Sequence, residues 1–166
     1  MSVDGLVVRE ARAADLAAVI LLEQETTQAP HWGEAEYRAI VDGAAASEFT
    51  EGAVRRCLMV GEADGRLVGF AVGKVMGLAG DALGELESVA VDALARRSGV
   101  GRALCEAVVR WCEGQGAVAV ELEVRVGSGG AIALYEGLGF VAVGRRRAYY
   151  RAPVEDALVM QLELVV

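Results

Sequence analysis

The sequence predicts a mixed α/β fold with a mostly antiparallel central sheet of six to seven strands and about four helices. Two strand patterns, residues 56–63 and 66–75, flank Asp64-Gly65, which is a strong hairpin signal. A helical pattern ending near residue 113 carries one apolar stripe, formed by Val100, Leu104, Val108 and Trp111. The next segment, 117–125, begins almost wholly apolar, as a strand covered on both faces would.

The N-terminal part of the chain adds one strand and two helices to this core. Residues 6–11 have the pattern of a short strand. Asp15 is predicted to cap a helix that runs to residue 25. The turn Pro30-His31-Trp32-Gly33 interrupts the periodicity, and a second helix is expected over 34–46.

The C-terminal half alternates strands with helices. A third strand of the antiparallel meander is predicted over 83–91. A turn at 96–102 connects it to the striped helix, so this strand and 117–125 are expected to form one βαβ crossover. The chain then ends with a helix and two strands, predicted over 128–138, 140–146 and 157–164.

Length and composition predict a single cytoplasmic domain, residues 1–166. The longest apolar run is the seven residues from Leu16 to Leu22, whereas a membrane-spanning helix needs about 20. The first residues lack the basic and then apolar pattern of a secretion signal. The cysteines have no zinc or disulfide spacing, so buried free thiols in a reducing compartment are expected at Cys57, Cys105 and Cys112.

The charge of the chain narrows the classes of partner. A formal net charge of −8 argues against nucleic acid, because phosphate binding needs a basic face. An acidic surface fits an amine or a basic peptide better. Since His31 is the only histidine, a multi-histidine metal site is excluded, and we predict no metal.

One turn departs from this acidic background, the segment Arg96-Arg97-Ser98-Gly99-Val100-Gly101-Arg102. Its glycines would let an anion approach the backbone, and the free N–H groups of the following helix would bind phosphate. The dinucleotide glycine pattern is incomplete and no Gly-Lys-Ser/Thr follows. These residues alone equally allow a tight turn with solvated arginines.

A series of motifs resembles the GNAT superfamily of N-acetyltransferases. Arg96-x-x-Gly99-x-Gly101 is similar to that family's acetyl-CoA pyrophosphate loop. Further motifs follow in the family's order: Val89-Ala-Val-Asp92, Leu122-Glu-Val-Arg125, Ala131-Ile-Ala-Leu-Tyr-Glu136, Leu138-Gly-Phe140, Arg146-Arg-Ala-Tyr-Tyr150 and Glu155-Asp-Ala157. Within the superfamily, the series most resembles the bacterial RimI-type enzymes that acetylate the N-terminal alanine of a small-subunit ribosomal protein. The resemblance is close over 83–164 and looser before it, mainly through Pro30-His31-Trp32.

The resemblance implies a ternary complex in which a protein N-terminal amine attacks acetyl-CoA directly. By position, Glu123 matches the family's general base and Tyr135 its general acid. The implied acetyl-CoA contacts are Val89, Ala90, Val91, Arg96, Arg97, Ser98, Gly99, Val100, Gly101, Arg102 and Ser128. The resemblance also implies that the substrate is a peptide and that the protein is a monomer or weak dimer. Neither nucleic acid nor a membrane is expected as a partner.

Elementary chemistry is compatible with these roles. An α-amine has a pKa of about 7.7–8.0 and must lose a proton before it attacks, which a carboxylate such as Glu123 can accept. Glu121 lies on the same pleat face and is a rival base. The phenol of Tyr135 can protonate a leaving thiolate, although a tyrosine that only packs its helix on the sheet remains an alternative. A backbone N–H of the 89–91 strand could stabilise the carbonyl oxygen.

The sequence says less about which residues contact the peptide substrate. Tyr149 and Tyr150 follow three arginines and match a region that holds the peptide in related enzymes, although a tyrosine pair at a sheet edge is an equal alternative. His31 and Trp32 either line the peptide groove or pack a helix-linking turn on the core. Two positions depart from the family, since Ser128 and Ala148 stand where asparagine is usual.

Two alternatives to protein N-terminal acetylation stay open. The first is the same chemistry on a small amine or a lysine side chain. The second is a non-catalytic acetyl-CoA-binding module that regulates a partner. Such a module needs neither Glu123 nor Tyr135, so the presence of both favours an enzyme.

Overall fold

Seven strands form one mixed sheet in a computed structural model that describes residues 4–26, 32–43, 54–78 and 80–164. The strands are β1 Val7–Glu10, β2 Arg55–Ala63, β3 Arg66–Met76, β4 Ala82–Val91, β5 Ala117–Arg125, β6 Val141–Tyr150 and β7 Glu155–Glu163. Their order is β1-β2-β3-β4-β5-β7-β6. Neighbours are antiparallel except β4 and β5, which are parallel. This arrangement confirms the predicted fold class and the single crossover.

In the described part of the chain, four α-helices cover the sheet: α1 Leu16–Glu25, α2 Glu34–Gly43, α3 Val100–Gly114 and α4 Gly129–Gly137. The last three residues predicted for α2, 44–46, lie outside the described residues. In the described ranges, no helix has the length and apolar character that crossing a membrane would require.

The predicted hairpin is confirmed. Asp64 and Gly65 join β2 to β3 with φ of 52° and 72°, while Ala63 pairs with Arg66. Both turn residues are thus left-handed, which matches the twist of the flanking strands.

The two faces of the sheet carry different helices. The apolar stripe of α3 packs on one face, where Leu104 and Val108 are fully buried among residues of β2 to β5. On the other face, α1 and α2 cover Phe70 and Val72 with side chains such as Val19. We call these faces the α3 face and the α1/α2 face.

The three cysteines are free and buried, as predicted. Burial raises the thiol pKa of Cys105 and of Cys112 to about 12, and it raises that of Cys57 further. Because the thiolate is the reactive form, these side chains act as core residues.

Two local predictions were wrong. Asp15 occupies the N-cap position of α1 but makes no capping hydrogen bond. Its carboxylate instead accepts from the Arg9 guanidinium and the Arg12 N–H, each at 2.7 Å. The strand predicted over 140–146 extends to Tyr150, because an irregularity in its pairing with β7 lets it continue.

Two features of β4 create an opening in the sheet. Pairing between β4 and β5 covers only 82–85 against 117–121, although both strands run further. In addition, Glu87 is an extra residue in the β3–β4 register, since Val72 pairs with Ser88 and Gly73 with Leu86. This β-bulge reverses the side-chain alternation, so that Leu86 and Val89 both pack on the α3 face.

A buried carboxylate connects α1 to α2. Glu23 is 3% exposed. It accepts hydrogen bonds from the Tyr37 hydroxyl and from the Trp32 N–H, the latter at 3.0 Å. Burial and this carboxylate raise the pKa of Tyr37, which therefore stays a donor.

We predict that Glu23→Ala lowers the free energy of unfolding by about 2–3 kcal/mol, because it leaves two donors beneath α1 without this acceptor. Denaturant unfolding would measure the loss. The matched control is Glu25→Ala, an exposed residue of the same helix, for which we expect a change within about 0.5 kcal/mol. Equal effects of the two substitutions would contradict a specific role for Glu23.

Candidate functional site

A cavity of about 670 Å³ lies where β4 and β5 diverge. Fourteen residues predicted from the sequence line it: Trp32, Val89, Ala90, Val91, Arg96, Arg97, Gly99, Gly101, Arg102, Glu123, Ser128, Tyr135, Tyr149 and Tyr150. Ser98 and Val100 were also predicted but do not line it. The predicted His31 lies outside the described residues.

The turn before α3 has the geometry of an anion-binding loop. Gly99, at the N-cap of α3, has a φ of 88°, which glycine adopts without strain. Its carbonyl accepts the first helical bond, from Ala103 at 3.0 Å. The N–H groups of the first turn therefore have no helical partner and lie at the positive end of the helix dipole.

The two glycines of this turn have different roles. A side chain at Gly99 would be strained by its positive φ. A Cβ at Gly101 would meet Leu134 Cδ2 and Val91 Cγ2 at 3.6 Å, which is ordinary contact. Gly99 is thus required by the backbone, whereas the Gly101 position has room for alanine.

Several side chains of the turn are engaged within the protein. The Ser98 hydroxyl donates to the Ala95 carbonyl, and the Val100 side chain is 1% exposed in the core. Any ligand contact by these two residues would come from the backbone. Arg102 forms an ion pair with Glu106 at 3.0 Å, which offsets part of its charge.

Glu123 is oriented by two neighbours. It lies on β5 between Leu122 and Val124, which pack on the α3 face, so its own side chain faces the α1/α2 layer. Its carboxylate contacts Arg146 Nε at 2.9 Å and accepts a hydrogen bond from Tyr149. That bond raises the pKa of the Tyr149 phenol to about 12.

The rival carboxylate has a different position. Glu121 pairs with Glu85 and Gln161 where the strands are still joined, before the opening begins. It does not line the cavity. The geometry therefore favours Glu123 as a base acting in this cavity.

Tyr135 lies on α4 and borders the same cavity. Its ring packs edge-on against Phe140, with ring centroids 6.0 Å apart. Burial raises the pKa of its phenol above the ordinary value of 10. The hydroxyl is therefore protonated at neutral pH and available as a donor.

An irregular segment of β6 aims the tyrosine pair at the cavity. The register of β6 against β7 shifts between Arg146 and Tyr150, and Ala148, which lies within this shift, has a φ of 49°. Asp156 stabilises the distortion by accepting from the Ala148 N–H at 2.8 Å. A positive φ is unfavourable for alanine, and asparagine tolerates it better.

Ser128 occupies the N-cap position of α4 and makes no capping hydrogen bond with its side chain. Ser128 borders the cavity together with Gly130 and Ala131 from the first turn of α4. Its contact with a coenzyme stays a prediction.

Sequence reasoning missed the acidic residues of β4. Glu87 forms ion pairs with Arg56 at 3.0 Å and with Lys74 at 4.0 Å. Glu85 lies 3.9 Å from Lys74, and burial, followed by the charge of Glu87, raises its carboxyl pKa. The available signal was two acidic residues two positions apart in an otherwise apolar strand pattern.

Trp32 contributes both to packing and to the cavity. Its ring stacks on Tyr37 at a centroid distance of 5.8 Å, and the Arg56 guanidinium lies 5.9 Å from its centroid. It also borders the cavity. Trp32 therefore packs on the core and borders the cavity at once, and its contact with a peptide stays a prediction.

Among the described residues, no three His, Cys, Asp or Glu side chains are grouped so that they could hold a metal ion.

Comparison with known proteins identifies relatives. The chain matches the Acetyltransferase (GNAT) family over residues 17–140. It is 41% identical over 106 residues to the [Ribosomal protein bS18]-alanine N-acetyltransferase of Salmonella typhimurium, covering 61% of this chain and 68% of that protein. It is 36% identical over 97 residues to the N-alpha-acetyltransferase RimI of Mycobacterium tuberculosis, covering 58% and 60%.

The fold is similar to solved structures over nearly its whole length. The ribosomal-protein-S18-alanine N-acetyltransferase from Escherichia coli superposes with a TM-score of 0.73 and 29% identity, covering 97% of this chain and 95% of that one. The similarity thus includes the part of the chain before residue 83, where the sequence motifs are weak.

We predict that Ala148→Gly raises the free energy of unfolding by about 0.5–1 kcal/mol, because it relieves a left-handed alanine. The melting temperature would show the gain. Ala142→Gly is the matched control, since Ala142 lies in the same strand, pairs with Met160 beside the other register shift of β6, and does not have a positive φ. There we expect a loss of similar size. A fall in melting temperature in both variants would contradict the interpretation.

Proposed function

The chain belongs to the GNAT acetyltransferase family, and from this premise we propose that it acetylates the N-terminal α-amine of a protein. The acceptor we propose is the N-terminal alanine of a small-subunit ribosomal protein, because the names of the Salmonella typhimurium and Escherichia coli relatives specify alanine of ribosomal protein S18. One observation supports this proposal most directly: Glu123 and Tyr135 border one cavity, beside the Gly99 turn. Such an acceptor implies a cytoplasmic enzyme.

The site fits acetyl-CoA, which supplies an acyl thioester as co-substrate. The unpaired N–H groups at the start of α3, with Arg97 and Arg102 beside them, suit a pyrophosphate. The opening between β4 and β5 leaves the edge of β4 beyond Glu85 without a partner strand. Its residues Val89 to Val91 border the cavity and can bind an amide-containing arm through their backbone.

Glu123 would act as the general base. It accepts the first proton of the acceptor's α-ammonium group, directly or through one water, and thereby frees the nitrogen lone pair. Arg146 and Tyr149 hold the carboxylate in one orientation during this step.

Tyr135 would act as the general acid. As the new N–C bond forms and the C–S bond breaks, its phenol gives a proton to the departing thiolate. The second proton lost by the nitrogen restores the phenol, so the reaction releases one proton overall. A backbone N–H of β4 beyond the bulge would stabilise the negative charge on the carbonyl oxygen.

Carboxylates line the acceptor side of the cavity, where their oxygens can accept hydrogen bonds from an ammonium group. Glu85, Glu87 and Glu123 all border it, next to Trp32 and the tyrosine pair. Arg56, Lys74 and Arg146 form ion pairs with these carboxylates. The acceptor oxygens at this position, and no net negative charge, therefore support a cationic N-terminus as the ligand.

We predict that Glu123→Gln lowers kcat/KM by about 10²- to 10⁴-fold, because the amide cannot accept the proton. Steady-state acetylation measures the loss, and calorimetry with coenzyme A should find its affinity unchanged within about twofold. Glu121→Gln is the matched control on the same pleat face and should retain activity. Full activity in the Glu123 variant, or an equal loss in both, would remove Glu123 from this role.

A panel of acceptors tests the proposed substrate. Mass spectrometry would follow acetyl transfer to peptides starting with alanine, to an N-terminally blocked peptide with an internal lysine, and to a polyamine. We expect acetylation of the alanine-starting peptides at their α-amine. Acetylation of the polyamine or of lysine, without the alanine peptides, would overturn the ribosomal-protein assignment in favour of the alternative acceptors.

A further inference from the structure

Ser88 is a buried polar residue that the mechanism above does not use. It is 7% exposed, and its Oγ has no hydrogen-bond partner among the residues that the structure describes. It also borders the cavity.

An unpartnered hydroxyl is costly in this environment. Ser88 pairs across the sheet with Val72, which pairs in turn with Leu58, so its own row is apolar. Leaving a buried hydroxyl unpaired costs about 1–3 kcal/mol. In native proteins such a group calls for an explanation, and a ligand that supplies the missing partner is one.

The β-bulge at Glu87 determines which side of the sheet Ser88 faces. After the bulge, Ala90 packs on the α1/α2 face with its cross-strand partner Phe70, and Val89 packs on the α3 face. Ser88 is two residues from Ala90 in the same strand, so it faces the α1/α2 layer. Glu123 faces that layer too.

Ser88 is therefore on the side from which the acceptor approaches. The α3 face carries the turn proposed for the coenzyme, whereas the α1/α2 face carries Trp32, Glu85 and Glu123 at the cavity. Ser88 is thus on the side of the sheet proposed for the amine and away from the turn proposed for the pyrophosphate.

We propose that Ser88 Oγ binds the acceptor's α-amino group by accepting a hydrogen bond from one of its N–H groups. This inference rests on the proposed function and adds a substrate-binding residue to it. The Oγ is enclosed in the structure, and a serine side chain can turn between staggered rotamers to bring an oxygen with two lone pairs to the ligand. One N–H of the amine then donates to Ser88, and Glu123 has taken a proton from the nitrogen. The nitrogen lone pair is therefore free to attack the thioester carbonyl.

The proposal makes an unusual combination of predictions for Ser88→Ala. The KM for an alanine-starting peptide should rise roughly five- to tenfold, the usual value of one such hydrogen bond. The KM for acetyl-CoA should stay within about twofold. The melting temperature should stay equal or rise, because the variant removes an unpaired buried group.

A matched pair isolates the hydroxyl at constant shape. Ser88→Thr keeps the oxygen, whereas Ser88→Val replaces it by a methyl group of similar size. Peptide affinity measured by calorimetry in the presence of coenzyme A should be roughly five- to tenfold weaker for Val than for Thr. This comparison holds even if both variants are less stable than the natural protein.

Three results would overturn the role of Ser88: an unchanged peptide KM in Ser88→Ala, equal peptide affinities of the Thr and Val variants, or a higher KM for acetyl-CoA alone. A clear fall in melting temperature for Ser88→Ala would instead show that the hydroxyl has a structural partner, and this too contradicts the proposal.

Failure of the proposed function is visible separately. It appears in the natural protein, as absence of acetylation of alanine-starting peptides. The Ser88→Ala comparison is then made with whichever amine the natural protein acetylates. An unchanged KM for that amine would overturn the Ser88 inference by itself.

Discussion

The opening between β4 and β5 is the constraint on which the site depends. The two strands pair only as far as Glu85 and Glu121, and beyond that point each continues with one edge free. In a fully paired sheet, neither a coenzyme arm nor a carbonyl group could reach the backbone of β4, because its hydrogen-bonding groups would already be used. The bulge at Glu87 acts at the same place and decides which side chains face each layer.

Arginines and carboxylates line different parts of the site. The chain is acidic overall, with a net charge of −8, yet the turn before α3 presents arginines and unpaired N–H groups. Across the opening, Glu85, Glu87 and Glu123 face a different layer of the molecule. Arg146 of β6 holds Glu123, and Arg125 at the end of β5 lies over the ring of Tyr150, so arginines from two strands support the carboxylate side.

The acceptor side depends on buried polar groups more than the coenzyme side does. Glu23 joins α1 to Trp32 and Tyr37 under the helices, and Ser88 lies under the cavity with an unused hydroxyl. Buried polar groups fix geometry because each needs a partner in a specific place. An acceptor that is selected by its free α-amine needs such fixed partners.

Local patterns in the sequence were enough to predict most of the fold and the Gly99 turn of the site. The Asp64-Gly65 hairpin, the stripe of α3 and the apolar start of β5 depend on neighbouring residues, and the structure confirms each. The Gly99 turn was visible for the same reason, since its signal is contiguous. The choice of Glu123 and Tyr135 as catalytic candidates came from resemblance to a family, and their roles remain proposals.

Tertiary structure alone decided the rest. The bulge at Glu87, the register shift at Ala148 and the end of the β4–β5 pairing are properties of strand pairs, which one strand's sequence does not specify. Consequently the sequence did not reveal that Ser88 and Glu85 border the cavity, or that Asp15 binds Arg9 instead of capping its helix. Side-chain direction depends on register, and register is set by the packed sheet.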